Sequence, residues 1–190
     1  EGFLLRTAYL LLEDGRRFDG DLLGAEALAL GEVVFNTCMS GYQEVLTDPS
    51  YTGQLVTMTY PLIGNYGVNA EDRESPVPQV AGFIVREASR VHSSWRSEEG
   101  LDEYLGRHGI PGISDLDTRA LTRHLRSEGA MRGAIAPADM PAEEVLGRVQ
   151  NHPHMEGLDL ASGVSTVEPY EVAAVGDERF HVLAYDFGIK

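Results

Sequence analysis

The chain has 190 residues, 43% of them hydrophobic and 24% charged, a composition typical of a globular protein that buries one ordinary core. Thirty acidic residues against fifteen basic ones give a net charge of -15, which excludes nucleic acid and anionic lipid surfaces as expected partners. The sequence has no apolar run of about 18 residues, no signal-peptide pattern, no GxxxxGK[ST] phosphate loop and no GxGxxG motif, so any ATP is expected to bind another chain.

The first half of the sequence predicts mainly β-structure. The segment TAYLLLEDGRRFDGDLLG is typical of a hairpin, in which an apolar strand, an Asp14-Gly15 turn and a second strand follow one another. Runs rich in β-branched and aromatic residues predict further strands over residues 32–37, 54–60 and 80–85.

The second half changes to a helical period. Ser97 is expected to cap a short helix over residues 98–109, and the IPGI segment after it predicts a brief extended link or an edge strand. The clearest helix begins after Asp117 as its N-cap and ends at Gly129. AMRGAIA then predicts a strand, and Pro141 stands near the first turn of a last helix. Residues 1–150 are therefore predicted to form one mixed α/β domain, β-rich at first, with helices packed on sheet afterwards.

The end of the sequence has a different character. Residues 151–179 lack a regular pattern and are interpreted as a linker that crosses a surface. FHVLAYDFGIK, residues 180–190, predicts a buried strand over 180–185, of the kind that normally continues into a helix and more sheet. We therefore expect residues 180–190 to be the first strand of a truncated second domain. Without its sheet neighbours, this segment is expected to be disordered or docked in a non-native place.

Three long segments carry a family resemblance: GEVVFNTCMSGYQEVLTDPSYTGQLVTMTYPLIGNYG over residues 31–67, GISDLDTRALTRHLRSEGAMRGAI over 112–135, and HVLAYDFGIK over 181–190. Within them, the phrases FNTxMxGYQE, LTDPSY, TYPxIGNxG and DTRxLT are too long for coincidence. In these segments the chain resembles the N-terminal domain of the small, glutamine-hydrolysing subunit of carbamoyl phosphate synthetase. The resemblance covers nearly all of the chain, from the first hairpin to Lys190.

The resemblance implies a swivelling β/β/α domain that belongs to a two-part glutaminase. It implies that the parent protein hydrolyses glutamine and passes ammonia to a large subunit, which combines it with bicarbonate and ATP into carbamoyl phosphate for pyrimidine and arginine synthesis. ATP and Mg are expected on that large subunit. The catalytic Cys, His and Glu of the family belong to a class I amidotransferase domain downstream, so no catalytic residue is expected in this chain. The implied partners are the large subunit, the amidotransferase domain and L-glutamine, in the cytoplasm.

Two residues of the first segment, Ser50 and Cys38, are candidates for a functional site. Ser50 lies in the turn TDPSY, where Pro49 presets the backbone and the hydroxyl stands at the bend. The alternative is that Ser50 has only a structural role in the turn, but the resemblance implies that this serine reaches across the domain boundary to bind glutamine.

Cys38 is the single cysteine, and it has neither a neighbouring His nor a GxCxG elbow. We expect Cys38 to be a buried packing residue.

Other polar groups are weaker candidates. Residues 41–44, GYQE, are assigned to shaping the domain interface, because a single Glu without a second acid or a metal is more often structural. His152 and His154 lack a third ligand, so no metal site is predicted. Arg119 and Arg123 on the clearest helix fit a partner's acidic surface or an anion as well as they fit a solvated helix face. Two rival functions stay open: a free-standing adaptor that binds other proteins, and a thiol hydrolase that uses Cys38.

Overall fold

The computed structural model describes residues 6–190, so the first five residues of the predicted 1–150 domain lie outside the described part of the chain. Within it, nine strands form: β1 Thr7–Leu12, β2 Arg17–Gly24, β3 Ala29–Asn36, β4 Gln54–Met58, β5 Leu62–Ile63, β6 Gly82–Ile84, β7 Glu87–Ala88, β8 Pro111–Ser114 and β9 Met131–Pro137. The helices of the same range are α1 Tyr42–Thr47, α2 Leu101–Arg107, α3 Thr118–Glu128, α4 Ala142–Asn151 and α5 Ala161–Val164, and a single 3-10 turn spans Pro49–Tyr51.

Seven of the strands close into a barrel in the order β1-β2-β8-β6-β4-β3-β9. The hairpin of β1 and β2 is antiparallel, as the Asp14-Gly15 turn predicts, and β9 pairs antiparallel with both β1 and β3. Strands β3, β4, β6 and β8 are all parallel, because helical or irregular crossovers connect them. The prediction of a mixed α/β fold dominated by strands is confirmed.

The barrel interior is closed by α3. Leu121 and Leu125 are buried on one face of this helix and pack with inward-facing residues of the strands, among them Leu10, Leu55 and Ile135. The predicted cap is present, since the Asp117 side chain accepts a hydrogen bond from the Ala120 amide at 2.9 Å. Alternation along β1 sends Tyr9 and Leu11 outward, where they pack under α4 with Val145 and Val149. Helices α1 and α2 cover the β4–β6 side of the barrel.

One glycine shows how closely the barrel is built. A Cβ placed on Gly31 of β3 would lie 2.5 Å from the Gly53 carbonyl oxygen, which no real side chain tolerates. The absence of a side chain lets β3 approach the residue just before β4. Glu32 can then donate its amide to that carbonyl at 3.3 Å, which fixes the register of the parallel pair.

Three predictions of secondary structure differ from the structure. The helix after Ser97 starts only at Leu101 with Gly100 as its N-cap, and the Ser97 hydroxyl instead contacts His92 Nδ1 at 2.5 Å. The IPGI segment is no edge strand: β8 lies between β2 and β6 inside the closed barrel. Residues 180–185 form no strand, and their large side chains Phe180, Leu183 and Tyr185 are more than four-fifths exposed, because no sheet partner stands beside them.

Candidate functional site

Ser50 stands in the middle of the Pro49–Tyr51 turn, between α1 and β4. The turn is held by its own first residue: Asp48 Oδ1 accepts the Ser50 amide at 2.8 Å, and the Asp48 carbonyl accepts the Tyr51 amide at 3.0 Å. Thr52 completes the turn through bonds from its amide and its hydroxyl to the Pro49 carbonyl. These contacts occupy the Ser50 backbone and fix its direction, while Ser50 itself stays exposed.

Asp48 is a nearly buried carboxylate beside this serine. Its second oxygen, Oδ2, lies 2.5 Å from the Lys190 ammonium. Burial would raise the pKa of Asp48, but the hydrogen bonds from Lys190 and from Ser50 outweigh it and lower the pKa below its ordinary value. Asp48 is therefore ionised near neutral pH, so it holds the Ser50 turn as a charged acceptor.

A cleft of about 220 Å³ opens beside Ser50. One wall is the turn, with Pro49 and Thr52, and the other wall comes from the C-terminal segment. That second wall is mostly apolar and is formed by Met155, Leu160, Ala161, Val164, Phe187 and Gly188. Asp186 shapes its end, because Oδ1 accepts the amides of Gly188 and Ile189. Ser50 thus lies at a junction between the barrel and the following segment.

The GYQE segment packs inside the barrel domain. Gly41 takes φ 82°, and α1 begins directly after it. Tyr42 stacks on Tyr66 with ring centroids 4.3 Å apart and donates its hydroxyl to the Gly67 carbonyl at 2.6 Å. Gln43, fully buried, exchanges two hydrogen bonds with the Asn69 backbone. These side chains clamp the 64–69 loop onto α1, and the assignment of GYQE to a domain interface stays a prediction.

Cys38 is exposed, so the expectation of a buried packing residue is wrong. The reason is its position just beyond the end of β3, where the loop turns toward α1 and no element covers it. Its amide is fixed by Asn36 Oδ1 at 2.7 Å. Among residues 6–190, no hydrogen bond connects the Cys38 side chain to a His, so no general base is assembled there.

The remaining candidates stay apart from the Ser50 turn. His152 is half-buried at the end of α4, where burial and the charge of Arg132 lower its pKa, and His154 is exposed. Within the described range, no group of three or more His, Cys, Asp and Glu residues is placed to hold a metal ion. Arg119 and Arg123 are exposed on α3. None of the helices described in residues 6–190 is long and apolar enough to cross a membrane.

The contact between Lys190 and Asp48 is not predicted by the sequence. It joins residues 142 positions apart, so no local pattern can indicate it. Asp48 itself carried a signal, since an Asp two residues before an amide in a Pro-containing turn is a frequent acceptor. Tyr66 could not be predicted either, because its hydroxyl accepts the Gly41 amide at 2.7 Å only after the two loops meet.

Comparison with known proteins assigns most of the barrel to one family. The sequence model described as "Carbamoyl-phosphate synthase small chain, CPSase domain" matches residues 10–135. Curated relatives named carbamoyl phosphate synthase small chain match nearly the whole of this chain. The Pectobacterium atrosepticum protein is 48% identical over 98% of this chain and 53% of its own length, and the Streptomyces avermitilis protein is 53% identical over 96% of this chain and 49% of its own length.

A third relative, from Synechococcus sp., is 50% identical over 97% of this chain and 50% of its own length. The chain thus spans about half the length of the curated relatives it matches. Among solved structures, the subtilisin-like protease Apa1 from Pseudoalteromonas sp. AS-11 is similar with a TM-score of 0.37 and 13% identity, over 70% of this chain and 33% of the protease. That likeness is too weak to carry any statement on fold or activity.

Proposed function

Because this chain belongs to the carbamoyl-phosphate synthase small chain family, we propose that it is part of the glutaminase subunit of carbamoyl phosphate synthetase. In this proposal the whole protein hydrolyses the side-chain amide of L-glutamine with water, which gives glutamate and ammonia. A large subunit, which binds ATP and Mg, then joins the ammonia to bicarbonate-derived carbon as carbamoyl phosphate for pyrimidine and arginine synthesis. The complex acts in the cytoplasm. The family match over residues 10–135 is the observation that carries the proposal.

Within that subunit, this chain is proposed to be the scaffold and interface part. The barrel would be the swivelling β/β/α domain of the family, residues 151–179 its linker, and residues 180–190 the first strand of the amidotransferase domain. The Cys-His-Glu set would stand in that domain, so these 190 residues alone would not hydrolyse glutamine. The relatives' length, about twice the span matched here, supports this division.

Ser50 is proposed to contact the bound glutamine. Ser50 is exposed, its amide is held by Asp48, and it lines a cleft whose other wall is the C-terminal segment. A hydroxyl can donate to the α-carboxylate or accept from the α-ammonium of the substrate. A rigid turn presents this hydroxyl without the entropy cost of ordering a loop at each binding event.

The first test is Ser50→Ala in the complete gene product assembled with its large subunit. Loss of one hydrogen bond should cost about 1 kcal/mol, which is about a fivefold rise in the KM for glutamine. Carbamoyl phosphate synthesis from free ammonia should be unchanged, because that route does not need the glutamine site. Ser127→Ala, an exposed serine on α3, is the matched control and should leave both activities unchanged. A glutamine KM that does not move in Ser50→Ala would remove Ser50 from the site.

A second experiment separates this proposal from a thiol hydrolase that uses Cys38. The 190-residue chain alone and its Cys38→Ala variant should both release no ammonia from glutamine above the buffer rate. In the complete protein, Cys38→Ala should retain full glutaminase activity, because the side chain has no base beside it. Ammonia release by the isolated chain that disappears in Cys38→Ala would establish the rival function.

A further inference from the structure

The Asp48 carboxylate has two separate partners, one in its own turn and one in the C-terminal segment. Oδ1 accepts the Ser50 amide at 2.8 Å, and Oδ2 lies 2.5 Å from the Lys190 ammonium. The Asp48 side chain is only 12% exposed, and Lys190 is its one ionic partner within residues 6–190. A single, nearly buried group therefore connects the serine proposed to bind glutamine with the opposite wall of the cleft.

The local role of Asp48 in its turn does not require a charge. The Asp48 carbonyl already accepts the Tyr51 amide at 3.0 Å, and the Pro49 carbonyl accepts the Thr52 amide at 3.2 Å. An Asn side chain would also accept the Ser50 amide, and its burial would cost less than burial of a carboxylate. The charge of Asp48 is therefore explained by its contact with the C-terminal segment, because a buried charge needs a paired partner.

The residues that supply the lysine, 186–190, form a second hydrogen-bonded turn, which we call the Lys190 turn. Asp186 Oδ1 accepts the Gly188 amide at 2.8 Å and the Ile189 amide at 2.7 Å. This carboxylate thus organises its own turn in the way that the carboxylate at the Ser50 turn does. Lys190 reaches across the cleft from an ordered backbone, so the ion pair connects two turns.

Gly188 brings the two turns into direct contact. It takes φ 99°, and a Cβ added there would lie 3.1 Å from Pro49 Cβ and 3.0 Å from Val164 Cγ2. The absence of a side chain therefore lets the Lys190 turn approach the residue that stands between Asp48 and Ser50. Because the C-terminal segment buries few apolar residues, this contact and the ion pair are a large share of what holds it at the Ser50 turn.

We propose that Asp48 is a positioning residue of the glutamine site, which holds Ser50 and the C-terminal segment in one fixed relation. The inference rests on the proposed function, in which Ser50 contacts glutamine. Asp48 does not touch the substrate and acts through Ser50. A hydrogen bond weakens steeply as its distance and angle depart from their optimum, so a serine that is no longer held contributes less to binding.

The test uses the complete gene product assembled with its large subunit, with kinetics measured for glutamine and for free ammonia. Asp48→Ala should raise the KM for glutamine about fivefold, as expected for loss of one hydrogen bond to the substrate. The kcat and the synthesis from free ammonia should be unchanged, a split that general loss of stability would not produce. Asp48→Asn keeps an acceptor for the Ser50 amide but removes the charge, so it should raise the KM by a smaller factor.

A double variant shows whether Asp48 acts through Ser50. Adding Asp48→Ala to Ser50→Ala should change the glutamine KM by less than about twofold, because the hydroxyl that Asp48 positions is already absent. Effects that multiply would show that Asp48 acts elsewhere and would overturn the inference. An unchanged KM in Asp48→Ala would overturn it as well.

Asp14→Ala is the matched control. Asp14 has the same arrangement in the hairpin of β1 and β2: Oδ1 accepts the Arg16 amide at 2.9 Å, and Oδ2 lies 2.7 Å from His124 Nε2. Strands β9 and β3 separate β1 from β4 in the barrel, so this variant should leave the glutamine KM unchanged. An equal rise of the KM in Asp14→Ala and Asp48→Ala would indicate general loosening of the barrel and would overturn the specific role.

Hydrogen exchange of the complete protein separates failure of this inference from failure of the proposed function. In Asp48→Ala, amide exchange should be about tenfold faster than in wild type in both the Ser50 turn and the Lys190 turn, and unchanged in α3. Unchanged exchange in the two turns would overturn the inference even in an active enzyme. Faster exchange in a complete protein that hydrolyses no glutamine would overturn the proposed function and leave the connection of the two turns standing.

Discussion

Thr57 and Thr47 are both fully buried, but their hydroxyls have opposite surroundings. Thr47 Oγ1 donates to the Gln43 carbonyl at 2.8 Å and accepts the Glu74 amide at 2.9 Å, so it connects α1 to the 70–79 loop. Thr57 Oγ1, on β4, has no hydrogen-bond partner within the described residues. A buried polar atom without a partner costs free energy that its satisfied counterpart does not.

This difference predicts opposite effects of the same substitution. Thr57→Val removes an unpaired hydroxyl at nearly constant volume, so it should raise the free energy of unfolding by about 1 kcal/mol, or the Tm by about 3 °C. Thr47→Val should lower the free energy of unfolding by about 2 kcal/mol, because it leaves the Glu74 amide without its acceptor. Thermal and denaturant unfolding of the two variants measure both. A destabilised Thr57→Val would mean that its hydroxyl has a partner, such as a buried water.

At the scale of elements, Arg132 joins three pieces of the barrel domain. It lies on β9, pairs with the Glu13 carboxylate just after β1 through two guanidinium nitrogens, and donates to the carbonyls of Gln150 and His152 at the end of α4. The Arg132 and Glu13 side chains are 16% and 24% exposed. Burial would raise the pKa of Glu13, but the hydrogen bonds and the charge of Arg132 outweigh it and lower that pKa.

Arg132→Leu should therefore lower the free energy of unfolding by about 2 kcal/mol at pH 7, since it leaves Glu13 and two helix-end carbonyls unpaired. The control is Arg148→Leu, which breaks an ion pair with Glu144 that is half exposed on both sides and should cost at most about 0.5 kcal/mol. A loss in Arg132→Leu no larger than in this control would show that Arg132 does not join these elements.

The same pair predicts a pH dependence with a definite sign. The folded pKa of Glu13 lies below its ordinary value. The ionised Glu13 carboxylate therefore makes its full contribution to the free energy of unfolding at pH values above the unfolded pKa, near 4.5. It is lost as the pH falls through the lower, folded pKa. The stability difference between wild type and Glu13→Gln should therefore be largest near pH 7 and shrink below pH 4.5, as denaturant unfolding over pH 3–7 can measure. A difference that stays constant over this range would contradict the ion pair.

At the scale of the whole molecule, the barrel and the C-terminal segment differ in how much they bury. The buried hydrophobic residues of the described chain all lie between Ala8 and Val149, whereas residues 165–190 are held by a few polar contacts, among them Lys190 with Asp48 and Tyr170 with Asp186. Few buried apolar contacts mean a low free energy of local opening. The segment should therefore open without unfolding the barrel.

Limited trypsin digestion of the 190-residue chain tests this expectation. Cleavage after Arg179, in an exposed stretch, should be at least ten times faster than cleavage after Arg132, which lies in β9. Mass spectrometry of a time course measures both rates, and the trimmed product should unfold at the same temperature as the intact chain. Equal protection of Arg179 and Arg132 would show that the tail is as firmly packed as the core.

The sequence by itself determined the family, the mixed α/β fold and the local turns and helix caps. The Asp14-Gly15 hairpin, the Asp117 cap and the turn that presents Ser50 each depend on neighbouring residues, so their chemistry can be interpreted locally. The family match over residues 10–135 confirms the identity that the long motifs indicated. The role of Ser50 toward glutamine remains a prediction.

Only the tertiary structure decided what depends on distant partners. The IPGI segment is part of β8, a barrel strand that is paired on both sides, with β2 and with β6. Residues 180–185 form no strand, because no neighbouring strand pairs with them in the described residues. Cys38 is exposed because its loop lies beyond the end of β3, and Lys190 reaches Asp48 across 142 positions. Pairing and burial are set by which surfaces meet, and a local pattern constrains what a segment can bury but not what will cover it.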